Sequence, residues 1–202
     1  MNLFVNHYTD ANPNRNRELL TCLKNNLNNP YLTNIFVLCN NEGDDPILDH
    51  PKVSILLLKA RPTYNVFFQI ITKYTSPDDW NIIANSDIYL DKSIAMIAKY
   101  TKPKTLLALT RWDVVGNEIR FLNRADSQDT WAFKGHPNVN GDFYLGIAGC
   151  DNVIADRFHK AGYLCINPSR TIKTFHLHNS NIRNYNASTR LMPPYKLIQP
   201  TT

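Results

Sequence analysis

The sequence predicts an α/β fold in which a mixed, mostly parallel central sheet is flanked by helices. Three observations predict it. Apolar runs of strand length alternate with segments of helical period through the first hundred or so residues. Those runs, such as Ile35-Phe36-Val37-Leu38-Cys39, are continuous rather than alternating, as strands covered on both faces require. Polar residues collect just after each run, along what becomes one edge of the sheet.

Residues 2–8 form the first strand, and 16–28 a helix with Leu19, Leu20, Leu23 and Leu27 on one face. Residues 34–40 and 53–59 are the second and third strands. Pro62 and Thr63 open a helix whose apolar positions Phe67, Ile70, Ile71 and Tyr74 fall at i, i+3, i+4 and i+7. Residues 80–85 are a fourth strand, and 92–101 a short helix capped by Asp91. Beyond residue 103 the pattern changes. Residues 105–112 and 117–123 read as two strands joined at Gly116, with 128–134 as another. A helix over 151–161 stops at Gly162, and short strands follow at 163–166 and 172–178. Pro193, Pro194 and Pro200 predict an extended tail. One domain, 1–202, thus divides into halves 1–103 and 104–189 and a tail 190–202.

With 202 residues, 43% hydrophobic and 19% charged, the chain has the make-up of one folded domain with a sizeable core. No stretch nears the roughly 18 apolar residues of a membrane helix, so no membrane insertion is expected. The opening MNLFVNHYTD lacks the features of a signal peptide and reads as a strand, which predicts a cytoplasmic protein. Cys22, Cys39, Cys150 and Cys165 form no CxxC pair, so free thiols are expected rather than a zinc site. The net charge of +5 suits an anionic ligand. The lysines and arginines are scattered rather than run together, so nucleic acid is not the expected partner.

Four strand ends carry the first functional signal: Asn6-His7-Tyr8, Asn40-Asn41, Lys59-Ala60-Arg61 and Asn85-Ser86-Asp87. Together they predict a polar ligand along that edge, with Tyr8 available to stack on a base. Asp87 follows a buried strand, where a carboxylate needs a cationic partner. Either it caps a turn or it holds magnesium or manganese, hard ions that bridge carboxylates to phosphates. His176 and His178 share one strand face and are either further metal ligands or polar residues at a strand end. Arg183 and Tyr185 follow, facing either phosphate and base or solvent. In Gly149-Cys150-Asp151-Asn152, Asp151 is either a catalytic carboxylate, an acceptor for a sugar hydroxyl, or a helix cap. Asp129 and Trp131 offer a carboxylate and an aromatic ring, the ring serving either the core or a sugar.

In their order these motifs resemble a GT-A-type glycosyltransferase: an α/β half, a strand ending in a short acidic motif, an acceptor half and a late histidine. The family's motif is Asp-X-Asp, and Asn85-Ser86-Asp87 takes its place, with Asn85 where the first aspartate would stand. The resemblance implies a GT-A-like, Rossmann-like sheet with 1–103 as the nucleotide-binding half and 104–189 as the acceptor half. It implies Mn²⁺ or Mg²⁺ on Asp87 with His178 or His176, and a donor site drawing on His7, Tyr8, Asn40, Arg61, Tyr64, Asn85, Ser86 and Arg183. Asp151 and Asp129 are the implied catalytic carboxylates. The run NSDIYLD…GCDN…HLHNSNIRNY further resembles compact glycosyltransferase domains of large algal DNA viruses. That likeness implies a UDP-sugar donor, a glycan or glycoprotein acceptor and, for a viral chain, the host cytoplasm. Asp151 acting as a base would invert the anomeric centre; without a base, front-side retention follows, as in several members with a late histidine. A metal-dependent nucleotide or sugar-phosphate hydrolase and a non-catalytic nucleotide- or glycan-binding module remain alternatives.

Overall fold

The computed structural model describes residues 1–40, 50–180 and 189–202. Its main sheet has seven strands: β1 (Asn2–His7), β2 (Asn34–Cys39), β3 (Val53–Leu57), β4 (Trp80–Ala84), β6 (Thr105–Leu109), β9 (Thr130–Lys134) and β10 (Leu164–Ile166). They lie in the order β10-β6-β9-β4-β1-β2-β3. Every pairing is parallel except those of β9, which runs antiparallel to both β4 and β6. A four-stranded sheet in the order β5-β11-β7-β8 stands beside it, made of β5 (Ile88–Leu90), β7 (Trp112–Val115), β8 (Glu118–Phe121) and β11 (Thr174–Leu177).

The strict alternation of side chains along a strand sorts the core into two layers. Phe4, Phe36, Leu38, Ile83 and Phe133 point to one face, under α2 (Tyr64–Tyr74) and α3 (Cys150–Lys160). Leu3, Val5, Ile35, Val37 and Ile82 point to the other, under α1 (Pro13–Leu27) and a 3-10 helix, Lys92–Lys99. This is the mixed, mostly parallel, helix-flanked sheet that the apolar runs predict. The two edge strands, β3 and β10, leave their side chains partly open.

Helix α1 starts three residues before the leucine stripe suggests. Pro13 takes the first helical position, and the Asn12 side chain accepts from the Asn14 amide at 2.9 Å. The other end of α1 is fastened to β5. Asn26 donates to the Ile88 carbonyl at 3.0 Å and accepts from the Leu90 amide at 2.9 Å, as a neighbouring strand would. Asn29 donates to the carbonyls of Leu90 and Asp91.

Three expectations need correction. The run 105–112 is not one strand: β6 stops at Leu109 and β7 begins at Trp112 in the other sheet. Thr110 makes the corner, where its amide donates to Ser169 Oγ at 2.7 Å and its hydroxyl to the Ser127 carbonyl at 2.9 Å. Residues 88–90, read only as part of a motif, are strand β5. The segment 92–101 is a 3-10 helix ending at Lys99, though Asp91 does cap it through the Ser93 amide. The tail after residue 190 is extended but folded back on the domain. Ile198 is buried, its amide donates to the Ala125 carbonyl, and the Lys196 amide donates to the Asn152 carbonyl.

Candidate active site

The turn from β4 to β5 brings Asp87 against β11. The Ile88 amide donates to the Asn85 carbonyl at 3.1 Å, and the Leu177 amide to the Asp87 carbonyl at 3.0 Å. The Asp87 side chain is therefore fixed at the carboxyl edge of the main sheet, and the residue is only 8% exposed. A buried carboxylate requires nearby positive charge. Arg15 Nη2, from α1, donates to Asp87 Oδ2 at 2.7 Å. His176 Nε2 lies 3.2 Å from the same oxygen, and His178 Nδ1 3.6 Å. Arg15 also pairs with Glu18 at 3.2 Å, and its Nε donates to the Tyr8 hydroxyl at 3.4 Å. Glu18 in turn accepts from the Ser180 amide and hydroxyl.

A second arm leads to the other half of the chain. His176 Nδ1 lies 2.8 Å from Asp113 Oδ1, on β7. Arg111 Nε donates to that same Asp113 oxygen at 2.7 Å, and its Nη1 to Asp129 Oδ2 at 2.9 Å. Asn85 Nδ2 closes the circuit by donating to Asp129 Oδ1 at 2.8 Å. A chain of alternating charges thus crosses the sheet edge from Glu18 to Asp129.

These contacts set the protonation states. Burial opposes ionisation of Asp87, but hydrogen bonds and charge from His176 and Arg15 outweigh it and hold the carboxyl well below its usual range. Burial also opposes charge on His176, and hydrogen bonds with Asp113 and Asp87 overcome it, pushing the ring up to about 9. His178 is shifted the other way, by burial and by the Arg15 charge, so it is a neutral imidazole at neutral pH. Its Nε2 is buried without a hydrogen-bond partner among the described residues. At the start of α3, Asp151 Oδ2 accepts from the Gln128 amide at 3.2 Å. Burial, then the Asp129 charge, raise its carboxyl to about 6.

Asp87, His176 and His178 offer ligand atoms that all lie within 4.8 Å of one another. A carboxylate with two histidines, His178 neutral and with an unpartnered nitrogen and His176 able to ligate once its Nε2 proton is released, is a donor set that fits a divalent cation.

The remaining sequence-selected residues fall in three places. At the carboxyl edge of the main sheet lie Asn85 and Ser86 in the Asp87 turn, Tyr8 against Arg15, His7 at the end of β1 opposite Cys39, and Asn40 just past β2. Asn40 Oδ1 accepts from Asn6 Nδ2 at 3.3 Å, and His7 is buried. In the segment between β3 and α2, exposed Arg61 donates from Nη2 to the Leu145 carbonyl, in the loop before α3, and lies 5.4 Å from the Tyr144 ring centre. In the core, Tyr64 has no exposed surface, and its ring packs edge-on against buried Trp131 at 5.5 Å. Neither ring offers a face to a ligand in this arrangement. Arg183 and Tyr185 lie outside the described residues.

Sequence reasoning passed over Arg15, Glu18, Arg111 and Asp113. A signal for the first two was present. Arg15, Glu18, Cys22 and Asn26 lie on the buried stripe of α1, and charges on a core-facing stripe need a buried partner.

The sequence matches no family model and no curated protein. Its structure is similar to that of the mannosyltransferase PcManGT from Pyrobaculum calidifontis, solved with GDP-Man and Mn²⁺. The TM-score is 0.60 at 14% identity, over 91% of this chain and 58% of that one. It is equally similar, at TM-score 0.60 and 10% identity, to S. aureus TarS solved with UDP-GlcNAc, over 95% of this chain and 61% of that one. Both were solved with a nucleotide-sugar. The chain has the GT-A fold. It spans about three fifths of the length of these two structures. The narrower resemblance to algal-virus domains gains no support from them. Among the described residues, no helix is long and apolar enough to cross a membrane.

Proposed function

We propose that the chain is a glycosyltransferase that moves a sugar from a UDP-sugar to a hydroxyl of a glycan or glycoprotein. The observation that carries this reading is the Asp87–His176–His178 cluster at the carboxyl edge of a GT-A fold. The nucleotide-sugar complexes of the two similar structures, one with Mn²⁺, support it. In open α/β sheets that edge is where ligands bind.

The donor base lies towards His7 and Tyr8, and the ribose towards Asn85. Asp87, His178 and His176 hold Mn²⁺ or Mg²⁺. When bound, the ion supplies positive charge to the diphosphate leaving group. The chain supplies the rest by positioning and electrostatics. Arg15 keeps Asp87 ionised. Arg111 and Asn85 fix Asp129 on the sugar side. Asp151, with its carboxyl raised to about 6, is ionised yet basic at neutral pH, which suits a general base. The acceptor oxygen bonds to the anomeric carbon and its proton passes to Asp151. The bond from that carbon to the diphosphate oxygen breaks, so the configuration inverts.

Calorimetric titration with UDP, with and without Mn²⁺ and with GDP as the control, tests the class and the base together. Micromolar UDP binding that needs Mn²⁺ is expected, and Asp87→Ala abolishes it. No nucleotide binding by the wild-type chain under either condition sinks the reading.

A further inference from the structure

The contacts of His176 carry an inference that rests on the glycosyltransferase reading and deepens it. A histidine has two ring nitrogens, and only one can face the cation site. In metal sites the other N–H usually donates to a carboxylate or carbonyl, which fixes both the tautomer and the ring plane. His176 presents Nε2 to Asp87 at 3.2 Å and Nδ1 to Asp113 at 2.8 Å. Asp113 is itself not free to turn away. Arg111 Nε holds the same oxygen at 2.7 Å, and Arg111 is anchored at its other end to Asp129, which is only 6% exposed. The backbone register agrees, because β11 and β7 pair in parallel with His176 directly opposite Asp113. The position of the carboxylate is thus set by sheet pairing and by a second ion pair, not by one flexible contact.

We infer that Asp113 is a positioning residue for cation binding: it holds the His176 Nδ1–H, so that Nε2 is the nitrogen turned toward Asp87 and the metal. Arg111 is its brace. His178 has no such brace among the described residues, since its nearest carboxylate is Asp87 itself at 3.6 Å. The two histidines are therefore unequal, one preset by Asp113 and the other free to adjust when the ion arrives.

Two measurements on the intact chain test this with wild type, Asp113→Asn and Asp113→Ala. The first is nitrogen-15 NMR of the metal-free protein at neutral pH. Wild type shows a slowly exchanging His176 Nδ1–H signal. Asp113→Asn keeps it, because the amide oxygen still accepts, and Asp113→Ala loses it. The second is Mn²⁺ affinity, read from the electron paramagnetic resonance signal of the free ion. Loss of such a supporting carboxylate weakens metal binding by roughly 10- to 100-fold. Asp113→Ala is expected in that range and Asp113→Asn between it and wild type. Thermal melting at each step separates a folding defect, which would lower stability without this graded order. Equal Mn²⁺ affinity in all three folded proteins overturns the inference, as does a wild-type His176 with no protected Nδ1–H. If wild type binds no Mn²⁺ but shows the protected proton, the metal reading of the function fails while the hold of Asp113 on the ring stands.

Discussion

Asp151→Asn should stabilise the protein at neutral pH and leave its stability unchanged in acid. The Asp151 carboxyl ordinarily titrates at 3.8 and is raised to about 6, first by burial and then by Asp129. A carboxyl with a raised folded value binds its proton more tightly in the native state than in the unfolded one. The native state is therefore unpenalised below 3.8, loses stability as pH climbs from 3.8 to about 6, and carries a constant penalty above that. At about 1.4 kcal/mol per pH unit, that interval amounts to ~3 kcal/mol. Asparagine keeps an oxygen for the Gln128 amide, so the hydrogen bond at 3.2 Å survives. The gain at pH 8 is ~3 kcal/mol, or roughly 6–12 °C in melting temperature for a chain of this size. Melting curves of both proteins at pH 4 and pH 8 measure it. A gain of equal size at both pH values, or a loss at pH 8, would refute the placement of Asp151 beside Asp129 in a desolvated site. The same variant should lose transfer activity, which sets function against stability at one atom.

Two further outcomes follow from the site and the core. Arg15→Met removes the guanidinium 2.7 Å from Asp87 and leaves a buried carboxylate short of positive charge, at a cost of about 3–5 kcal/mol. Mn²⁺ should raise its melting temperature more than it raises that of wild type, because the ion replaces the missing charge; equal shifts would place the ion elsewhere. Gly135→Ala places a Cβ 2.6 Å from the Pro77 carbonyl oxygen at a φ of +74°, so both contact and backbone conformation are strained. A loss of ~2 kcal/mol or more, read by denaturant unfolding, is expected, and an unchanged midpoint would contradict the tight turn there.

The sheet was legible because its strands are buried on both faces and so read as unbroken apolar runs. Where a strand belongs to the smaller sheet, that signal fails. Ile88-Tyr89-Leu90 is three residues long, too short for any period to show. The break at Thr110 was hidden for a different reason. Its hydrogen bonds go to Asn167, Ser169 and Ser127, which lie far along the chain, so no local residue marks the corner. The acidic turn and both histidines were found because a carboxylate after a buried strand is costly in itself. Arg111 and Asp113 were missed because an arginine or aspartate is ordinary on a surface, and only tertiary structure shows that these face one another and His176. Tyr64 misled in the opposite direction. Its place after the third strand suggested a donor contact, whereas the start of α2 turns its ring beneath Trp131.

The position of β9 bears on how the chain assembles. This strand, which comes late, is inserted between β4 and β6, so the first 103 residues end with the inner side of β4 unpaired. Until Thr130–Lys134 is available, β4 is an open edge of apolar residues, the kind that pairs with other chains. β6 has no partner on that side until the same moment. The two halves visible in the sequence are therefore not separable folding units. Asp129 leads directly into the strand that seals them, so this buried carboxylate takes its place only as the sheet becomes whole.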